Sequence, residues 1–337
     1  MKKLLYVALA LLAAGCATNK HTETGTIKSG AEWLDTDGNI INAHGGGIME
    51  HDGRYYWYGE CKGDSTTRLE EITSWECYRA PNNGVTCYSS DDLVNWKFEG
   101  MALAAEPSDT TSELHPSQVI ERPKVIYNDR TGKFVMWLHI ESPDYQKAHA
   151  GVAVSDSPVG PFTYIGSVRP NGEESRDQTI FKDDDGRAYH FHSSEDNATL
   201  HICPLNDDYT AHTGEFKRVF EGMRREAPAV FKHNGRYFMI TSGCTGWDPN
   251  VAQWAWADSI MGEWHPMGNP CIGPDAENTY HAQSTFVLPL PGQPDRYLAM
   301  FDRWCKTDLK DSRYVWLPLT FKGEEPVVEW ADEWTIE

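Results

Sequence analysis

Three carboxylates stand at equivalent places in a repeated sequence pattern, where they could perform acid–base chemistry. Glu121, Asp177 and Glu226 each lie nine to eleven positions before the second residue of a predicted hairpin turn, and His44 and Gln283 precede two further turns in the same way. Carboxyl groups confined together raise one another's pKa, because like charges ionise side by side only at a cost. If the fold gathers these residues, the pattern predicts a site with a protonated acid near neutral pH.

The repeat that contains these residues predicts the fold. A turn followed by an aromatic-rich strand occurs five times, and a shorter strand precedes each turn; the turns begin at Asp52, Thr131, Asp185, Asn234 and Pro294. Units of about 50 to 80 residues, each reading as a small antiparallel sheet, are typical of propeller blades. Long helical periodicity is absent. The sequence therefore predicts an all-β, single-domain, five-bladed β-propeller that spans residues 31–337.

Propeller geometry would bring the five polar residues together. The innermost strand of each blade runs along the central channel, so its first residue lies at one mouth of that channel. A single polar residue there can merely hydrogen-bond the backbone, but five from five blades favour an active site. Glycoside hydrolysis is a reaction that needs such a set of residues. It requires a protonated carboxylic acid near the leaving oxygen and a second group that activates water or attacks the sugar.

The N-terminus predicts export. Lys2 and Lys3 precede an apolar run that ends in small residues before Cys16. This resembles a bacterial lipobox, which makes residues 1–15 a lipoprotein signal peptide, Cys16 the lipidated residue and residues 16–30 a polar tether. An ordinary signal peptide that happens to contain a cysteine is the alternative. We expect a lipid-anchored protein in the periplasm or on the cell surface of a Gram-negative bacterium.

The amino-acid composition limits the classes of binding partner that we expect. A formal net charge of −20 argues against a nucleic-acid partner and against a basic membrane-binding face, so membrane contact is expected through the lipid alone, and a monomer is expected. The seven cysteines after Cys16 are an odd number, so at least one stays free; Cys61 and Cys77 can close a loop, but spacing does not decide the pairing. No motif demands a metal or a redox cofactor, and neither is predicted.

The segments around the repeated residues resemble glycoside hydrolase family 43 and, within it, the exo-β-1,3-galactanases. The resemblance covers nearly the whole chain after the tether and is carried by AHGGGI, YYWYGE, IERPKVIYN, SRDQTIFKDDDGRAY, SSEDNATL, REAPAVF, SGCTGWDPN and AQSTFV. It implies a five-bladed propeller, an inverting mechanism, and release of galactose from the non-reducing end of β-1,3-galactan, the backbone of arabinogalactan. A structural cation in the propeller centre occurs in some relatives, but no motif in this chain requires one.

The resemblance also implies roles for individual residues. Glu226 matches the general acid, and Glu121 matches the carboxylate that positions the acid and tunes its pKa. Trp247, on a loop after an inner strand, is predicted to stack on a sugar or to form the pocket wall. The further contacts to the terminal sugar implied by the resemblance are Glu60, Arg122, Tyr145, Asp177, Asn197 and Thr245.

The general base is the point at which this chain departs from the wider family. Most members carry an aspartate on the first blade, where this sequence reads Ala43-His44-Gly45. The galactanase branch lacks that base too, and there a glutamine, matched by Gln283, is proposed to hold or activate the water. A neutral amide is a weak base, so this role needs an unusual tautomer or water positioning alone. His44 is the other candidate, as a base, a substrate contact or a hydrogen-bonding residue of the channel.

Other functions on the same scaffold stay open at this stage. A β-galactofuranosidase or an α-L-arabinofuranosidase differs from a galactanase by a few hydroxyl contacts that the sequence does not display. A non-catalytic glycan-binding lipoprotein is an alternative of another class. The presence of both Glu121 and Glu226 argues against it, because a binding protein has no need of an acid with a raised pKa.

Overall fold

Short aromatic and β-branched runs between turns rich in Gly, Asn and Asp form antiparallel hairpins along the whole described chain. The computed structural model describes residues 25–336, so the predicted signal peptide and Cys16 lie outside the described residues. Within this range no helix is both long enough and apolar enough to cross a bilayer. The prediction of a five-bladed β-propeller is confirmed.

The chain enters the fold through a short strand, β1 (Thr26–Lys28), and then forms the first two blades. Blade 1 contains β2 (His44–His51), β3 (Arg54–Lys62), β6 (Asn82–Ser90) and β7 (Lys97–Ala104), and a small hairpin of β4 (Thr67–Arg68) and β5 (Tyr78–Arg79) projects from it. Blade 2 contains β8 (Val119–Asn128), β9 (Lys133–Glu141), β10 (His149–Ser155) and β11 (Thr163–Val168).

The remaining blades follow the same order. Blade 3 contains β12 (Gln178–Lys182), β13 (Ala188–Ser194), β14 (Thr199–Pro204) and β15 (Lys217–Val219); blade 4 contains β16 (Arg225–His233), β17 (Arg236–Gly243), β18 (Gln253–Ala257) and β19 (His265–Pro266). Blade 5 has five strands, β20 (Cys271–Ile272), β21 (Gln283–Pro289), β22 (Tyr297–Arg303), β23 (Arg313–Lys322) and β24 (Glu325–Glu329). The described residues also contain three short 3-10 helices: Pro170–Gly172, Ala276–His281 and Leu309–Asp311.

The two ends of the described chain meet. Strand β1 pairs with β25 (Glu333–Thr335) in an antiparallel ladder, and Ile27 is buried against the neighbouring core. The folded unit therefore begins before residue 31, which shortens the predicted tether. Backbone pairing overrides the polar composition that suggested a tether, because three ladder residues suffice when a buried side chain anchors them.

Apolar packing lies between the blades. Within residues 25–336, five hydrophobic clusters occur, one at each junction of neighbouring blades. At the junction of blades 5 and 1, Trp57 packs on Trp316 with ring centroids 4.7 Å apart and on Trp96 at 5.4 Å. Removal of one such ring is expected to cost about 3–5 kcal/mol. Many of the tryptophans thus hold the ring of blades together, rather than binding ligand.

The inner strands form a closed ring. β2 contacts β8, β8 contacts β12, β12 contacts β16, β16 contacts β21, and β21 returns to β2. This arrangement places the first residues of all five strands at one mouth of the channel, as the repeat predicts. The seven described cysteines are all free, so the Cys61–Cys77 bond considered from the sequence is not formed.

Candidate active site

Three of the inner strands begin with the same backbone distortion. The residues that follow His44, Glu121 and Glu226 adopt left-handed conformations, with φ of 60° at Gly45, 55° at Arg122 and 52° at Ala227. At each place the pairing with the second strand shifts register, which is the mark of a β-bulge. Bulges bend a strand and redirect its side chains, and a left-handed non-glycine residue costs about 1–3 kcal/mol. The fold thus stores strain where the predicted site begins.

A cavity of about 630 Å³ opens at this mouth, a size suited to a small ligand. Nine of the eleven site residues predicted from the sequence line it. They are Glu60, Glu121, Arg122, Tyr145, Asp177, Asn197, Glu226, Trp247 and Gln283.

Two predicted residues lie elsewhere. His44 is fully buried behind the cavity wall and stacks on Tyr314, with ring centroids 5.3 Å apart. Burial and the charge of Lys62 lower the pKa of His44 to about 3, so its position fits neither a base nor a sugar contact. Thr245 is exposed, and its hydroxyl donates to the backbone carbonyl of Asp248 at 2.6 Å. It shapes a loop and does not line the cavity.

Glu226 has the properties of a proton donor. Its carboxyl accepts hydrogen bonds from Gln283 Nε2 at 3.0 Å and from Asn197 Nδ2 at 3.4 Å. Burial, followed by the nearby charge of Asp177, raises the pKa of Glu226 to about 8. The group therefore keeps its proton at neutral pH. The largest charge effect on the pKa of Glu226 comes from Asp177, whereas the family resemblance implies Glu121 for this role.

Glu121 is in the opposite state. Burial opposes ionisation, but hydrogen bonds and nearby positive charge outweigh it: His139 Nδ1 lies 3.1 Å from one carboxylate oxygen, and the Tyr145 hydroxyl donates to the other at 3.0 Å. With the charge of Lys62, these contacts lower the pKa of Glu121 to about 2. The two glutamates thus differ in charge at neutral pH, the division of roles that acid-catalysed glycoside cleavage uses.

Arg122 links the remaining polar groups. Its guanidinium contacts both oxygens of Asp177, at 3.1 Å from Nε and 3.0 Å from Nη2, and also hydrogen-bonds the amide oxygen of Gln283. Bidentate pairing fixes the plane of the carboxylate. The backbone carbonyl of Ser284 accepts a fourth bond at 3.0 Å. Arg122 therefore sets the orientation of Asp177 and Gln283 together.

The amide of Gln283 is fully hydrogen-bonded. Its Nε2 donates to Glu226 and, at 2.9 Å, to Ser242 Oγ, while its oxygen accepts from Trp304 Nε1 at 2.9 Å and from Arg122. A primary amide has two N–H donors and two acceptor positions, and all four are in use. A water molecule can bind this amide only if one of these bonds opens.

Sequence reasoning missed several cavity residues, among them His139, Trp75, Cys244 and Trp304. A signal existed for His139, because it is the cross-strand partner of Glu121, as Glu60 is of His44. Pairing each predicted residue across its hairpin turn would have pointed to it. No comparable sequence signal existed for Trp75, which lies in an irregular loop.

One group of side chains in the cavity could hold a cation. Glu121, His139 and Asp177 offer donor atoms that all lie within 4.8 Å of one another. His139, however, hydrogen-bonds Glu121 and, at 3.4 Å, Glu141, and these contacts raise the pKa of His139 to about 9 against the effect of burial. A metal would have to displace that proton, since metal-bound imidazole is deprotonated at the ligating nitrogen. The group fits a protonated hydrogen-bond network better than a metal centre.

The propeller and its mouth, with one protonated and one ionised glutamate, define a glycoside hydrolase. The chain belongs to family 43 of the glycosyl hydrolases, whose sequence model matches residues 48–285.

Solved structures extend the match. A family 43 β-1,3-galactosidase, BT3683, solved with galactodeoxynojirimycin, is 45% identical, with 92% of this chain and 100% of that chain covered and a TM-score of 0.85. A variant of the exo-β-1,3-galactanase from Phanerochaete chrysosporium, solved with β-1,3-galactotriose, is 37% identical over 93% of this chain and 68% of that chain, with a TM-score of 0.81.

Curated relatives are more distant. A β-D-galactofuranosidase from Aspergillus niger is 28% identical over 283 residues, which cover 80% of each chain. A xylan 1,3-β-xylosidase from Vibrio sp. is 25% identical over 175 residues, and the match spans 47% of this chain but only 31% of the length of that relative. The sugars named for these two relatives differ from each other and from those of the solved structures.

Proposed function

We propose that the protein is an exo-acting, inverting β-1,3-galactosidase that releases galactose from the non-reducing end of β-1,3-galactan. The observation that carries the proposal is Glu226, a partly buried carboxyl with a pKa of about 8 that is held by Gln283 in the cavity. The galactose-type ligands of the structures that this chain resembles support the choice of sugar.

The reaction follows from the two charge states. Glu226 donates its proton to the glycosidic oxygen as the bond to the anomeric carbon breaks, and water attacks the opposite face of the sugar. The attacking water releases one proton to solvent water, from which Glu226 is protonated again. Glu121, Asp177 and Arg122 form a charged wall that orients the sugar hydroxyls and stabilises the positive charge developing on the ring. Water, rather than a protein carboxylate, forms the new bond, so the configuration inverts.

The first role of Gln283 in this reaction is to hold the general acid, Glu226, in position. Its amide holds Glu226 at 3.0 Å and is itself held by Trp304 and Arg122. If the arriving sugar opens one of these bonds, the amide gains a free position beside the acid and can hold the attacking water. In this proposal, Gln283 positions the water only when substrate is bound, and His44 has no role in the reaction.

The shape of the cavity supports exo action. The inner strands close its floor, where Arg122 and Glu60 are buried, and the loop that contains Trp75 lines one side. A chain end fits into such a pocket, whereas the middle of a polymer would need an open groove.

A β-galactofuranosidase is the second candidate, favoured by the relative from Aspergillus niger. The two activities share the acid and differ in ring size, so a pair of substrates separates them. Aryl β-D-galactopyranoside should be cleaved faster than the matching galactofuranoside. The reverse order would reject the pyranose assignment.

A product analysis tests the proposal. The purified protein is incubated with β-1,3-galactan, arabinan and arabinogalactan, and the first product is followed by NMR. We expect galactose from the first and third polymers, with the α-anomer appearing before mutarotation. Arabinose as the main product would overturn the specificity, and β-galactose as the first anomer would overturn inversion.

We propose further that the protein is exported and anchored by a lipid on Cys16, as a monomer that meets its polysaccharide substrate in the periplasm or at the cell surface. The N-terminal sequence supports this proposal. Radiolabelled fatty acid should label the full chain in a bacterial host and should not label the Cys16→Ala variant. Equal labelling of both would contradict the anchor.

A further inference from the structure

A loop of blade 1 reaches across the mouth of the cavity. Residues 63–81, called the strap below, join β3 to β6 and contain the small hairpin β4–β5. The base of the strap is closed by a hydrogen bond from the Gly63 amide to the Pro81 carbonyl at 2.8 Å. A loop of this length without a long hairpin of its own is typical of a functional element.

Contacts with three other blades hold the strap in place. Arg79 donates to the carbonyl of Pro143 in blade 2 at 2.7 Å, and the indole N–H of Trp247 in blade 4 donates to the Tyr78 carbonyl at 3.2 Å. Lys306, in blade 5, contacts Glu76 of the strap at 2.5 Å. The strap is therefore a fixed wall of the cavity.

Trp75 is the aromatic residue that the strap presents to the cavity. It is half-buried, belongs to no hydrophobic cluster of the described residues, and follows exposed Thr73 and Ser74. Its ring meets that of Tyr145 edge-on with centroids 5.3 Å apart, and a methyl group on Gly246 would lie 3.1 Å from it. Its indole N–H has no hydrogen-bond partner within residues 25–336.

An aromatic ring held in this way suits a sugar. The apolar C–H face of a pyranose packs on an indole ring, and the free N–H can donate to a hydroxyl. The terminal sugar must reach the acid, Glu226, near the buried wall that contains Glu60 and Arg122. The next sugar of the chain then lies farther out, at the level of the strap.

We propose that Trp75 forms the leaving-group subsite and binds the second sugar of the substrate. This inference rests on the proposed function only in that Glu226 must cleave a glycosidic bond to a second sugar. The strap then makes specificity depend on the leaving group as well as on the terminal sugar.

The test compares two substrates that differ in the leaving group. β-1,3-Galactobiose places a sugar against Trp75, whereas β-galactosyl fluoride carries only fluoride there. Trp75→Ala should reduce kcat/KM for the disaccharide by about 10- to 100-fold, chiefly through KM, because it removes a ring stack and a hydrogen bond. The fluoride should lose less than about threefold. Trp75→Phe, which keeps the contact with Tyr145, should lie between wild type and Trp75→Ala on the disaccharide.

Trp330→Ala is the matched control, since Trp330 is a half-buried tryptophan of blade 5 outside the cavity wall. It should leave the ratio of the two rates unaltered, and thermal melting checks the fold of every variant. Equal losses of Trp75→Ala on both substrates would assign Trp75 a supporting role behind Tyr145 and overturn the subsite. No loss on the disaccharide would overturn it as well.

A failure of the galactose assignment gives a different result. Wild-type protein would then cleave neither galactose substrate, and the product screen would supply the correct sugar. The same comparison is made with the disaccharide and the glycosyl fluoride of that sugar, so the subsite is tested in either case.

Discussion

The two mouths of the channel are built from the same five strands but differ in charge. At the mouth where the strands begin, bulges follow Glu121 and Glu226, and the pKa of each carboxyl is shifted. At the mouth where they end, strand pairing is regular and two lysines, Lys182 and Lys232, contact carboxylates. Lys182 contacts Asp129 at 2.5 Å, and Lys232 contacts Asp183 at 2.7 Å and Asp184 at 2.8 Å.

Size does not separate the two mouths. The cavity at the far mouth measures about 620 Å³, against about 630 Å³ at the site. At the site mouth, β-bulges occur together with two glutamates whose pKa values are shifted in opposite directions, and such combinations are typical of catalytic sites. The comparison indicates that charge balance, more than volume, distinguishes the active end of this propeller.

The largest expected effect is at the acid. Glu226→Gln removes the transferable proton and should lower kcat on β-1,3-galactan by about 10²–10⁴-fold. An activated aryl galactoside needs little protonation of its leaving group and should lose far less. Steady-state rates on the two substrates measure the difference. Equal losses on both would show that Glu226 is not the proton donor.

The next effect is at the amide that holds the acid. Gln283→Ala removes the bond to Glu226 and leaves Arg122 and Trp304 without a shared partner, so kcat should fall by about 100-fold while KM changes little. Gln283→Glu adds a negative charge beside Glu226 and should raise the pKa seen in the rate profile. A Gln283→Ala variant with near wild-type kcat would remove Gln283 from the mechanism.

The pH dependence follows from the raised pKa. Since Glu226 must be protonated to act, kcat/KM should be constant below about pH 8, as far as this group is concerned, and fall about tenfold per pH unit above it. Glu121, with its pKa of about 2, stays ionised over the same range. A decline that begins near pH 5 would mean that the carboxyl carrying the reaction ionises normally.

Glycine-to-alanine substitutions compare how well the backbone at each mouth accepts a side chain. Gly45 has φ of 60°, and a methyl group there would lie 2.2 Å from Glu60 Oε1, so Gly45→Ala should lower the free energy of unfolding by about 2–4 kcal/mol. Gly235, at the far mouth, has φ of 80° but no atom within 4 Å of the added carbon. Gly235→Ala should therefore cost only about 1 kcal/mol. Denaturant titration of both variants checks the ranking, and equal costs would contradict it.

The smallest effect is expected at the far mouth. Lys232→Met removes an ion pair that is partly exposed to solvent, so kcat and KM on galactan should stay within about twofold of wild type. Rates measured beside Glu226→Gln provide the contrast. A tenfold loss in Lys232→Met would show that the two mouths are coupled.

Much of the fold is predictable because its signals are local. Hairpin turns with Gly or Asp, followed by aromatic strands, recur in the sequence, and each blade forms from neighbouring segments. Counting from the turns then places Glu121, Asp177, Glu226 and Gln283 at one mouth. The same count fails for His44, because the direction of its side chain depends on packing against Tyr314 from another blade.

The position of the strap could not be predicted from the sequence either. Its residues show no strand or helix periodicity, and its position depends on contacts with Pro143, Trp247 and Lys306, which belong to three other blades. Contacts between segments so far apart in the chain leave no pattern in one sequence. Trp75 therefore enters the site only through tertiary structure.

The amino-acid sequence by itself determined the blades, the mouth at which the polar residues meet, and the family. The spacing of the repeat alone could not decide which glutamate carries a proton, although the family resemblance implied Glu226. Glu121 and Glu226 stand in nearly identical contexts, Glu-Arg-Pro and Glu-Ala-Pro. The tertiary structure places His139 and Lys62 near the first and Asp177 near the second, and because Coulomb interactions depend on distance in space, the two carboxyls acquire opposite charge states.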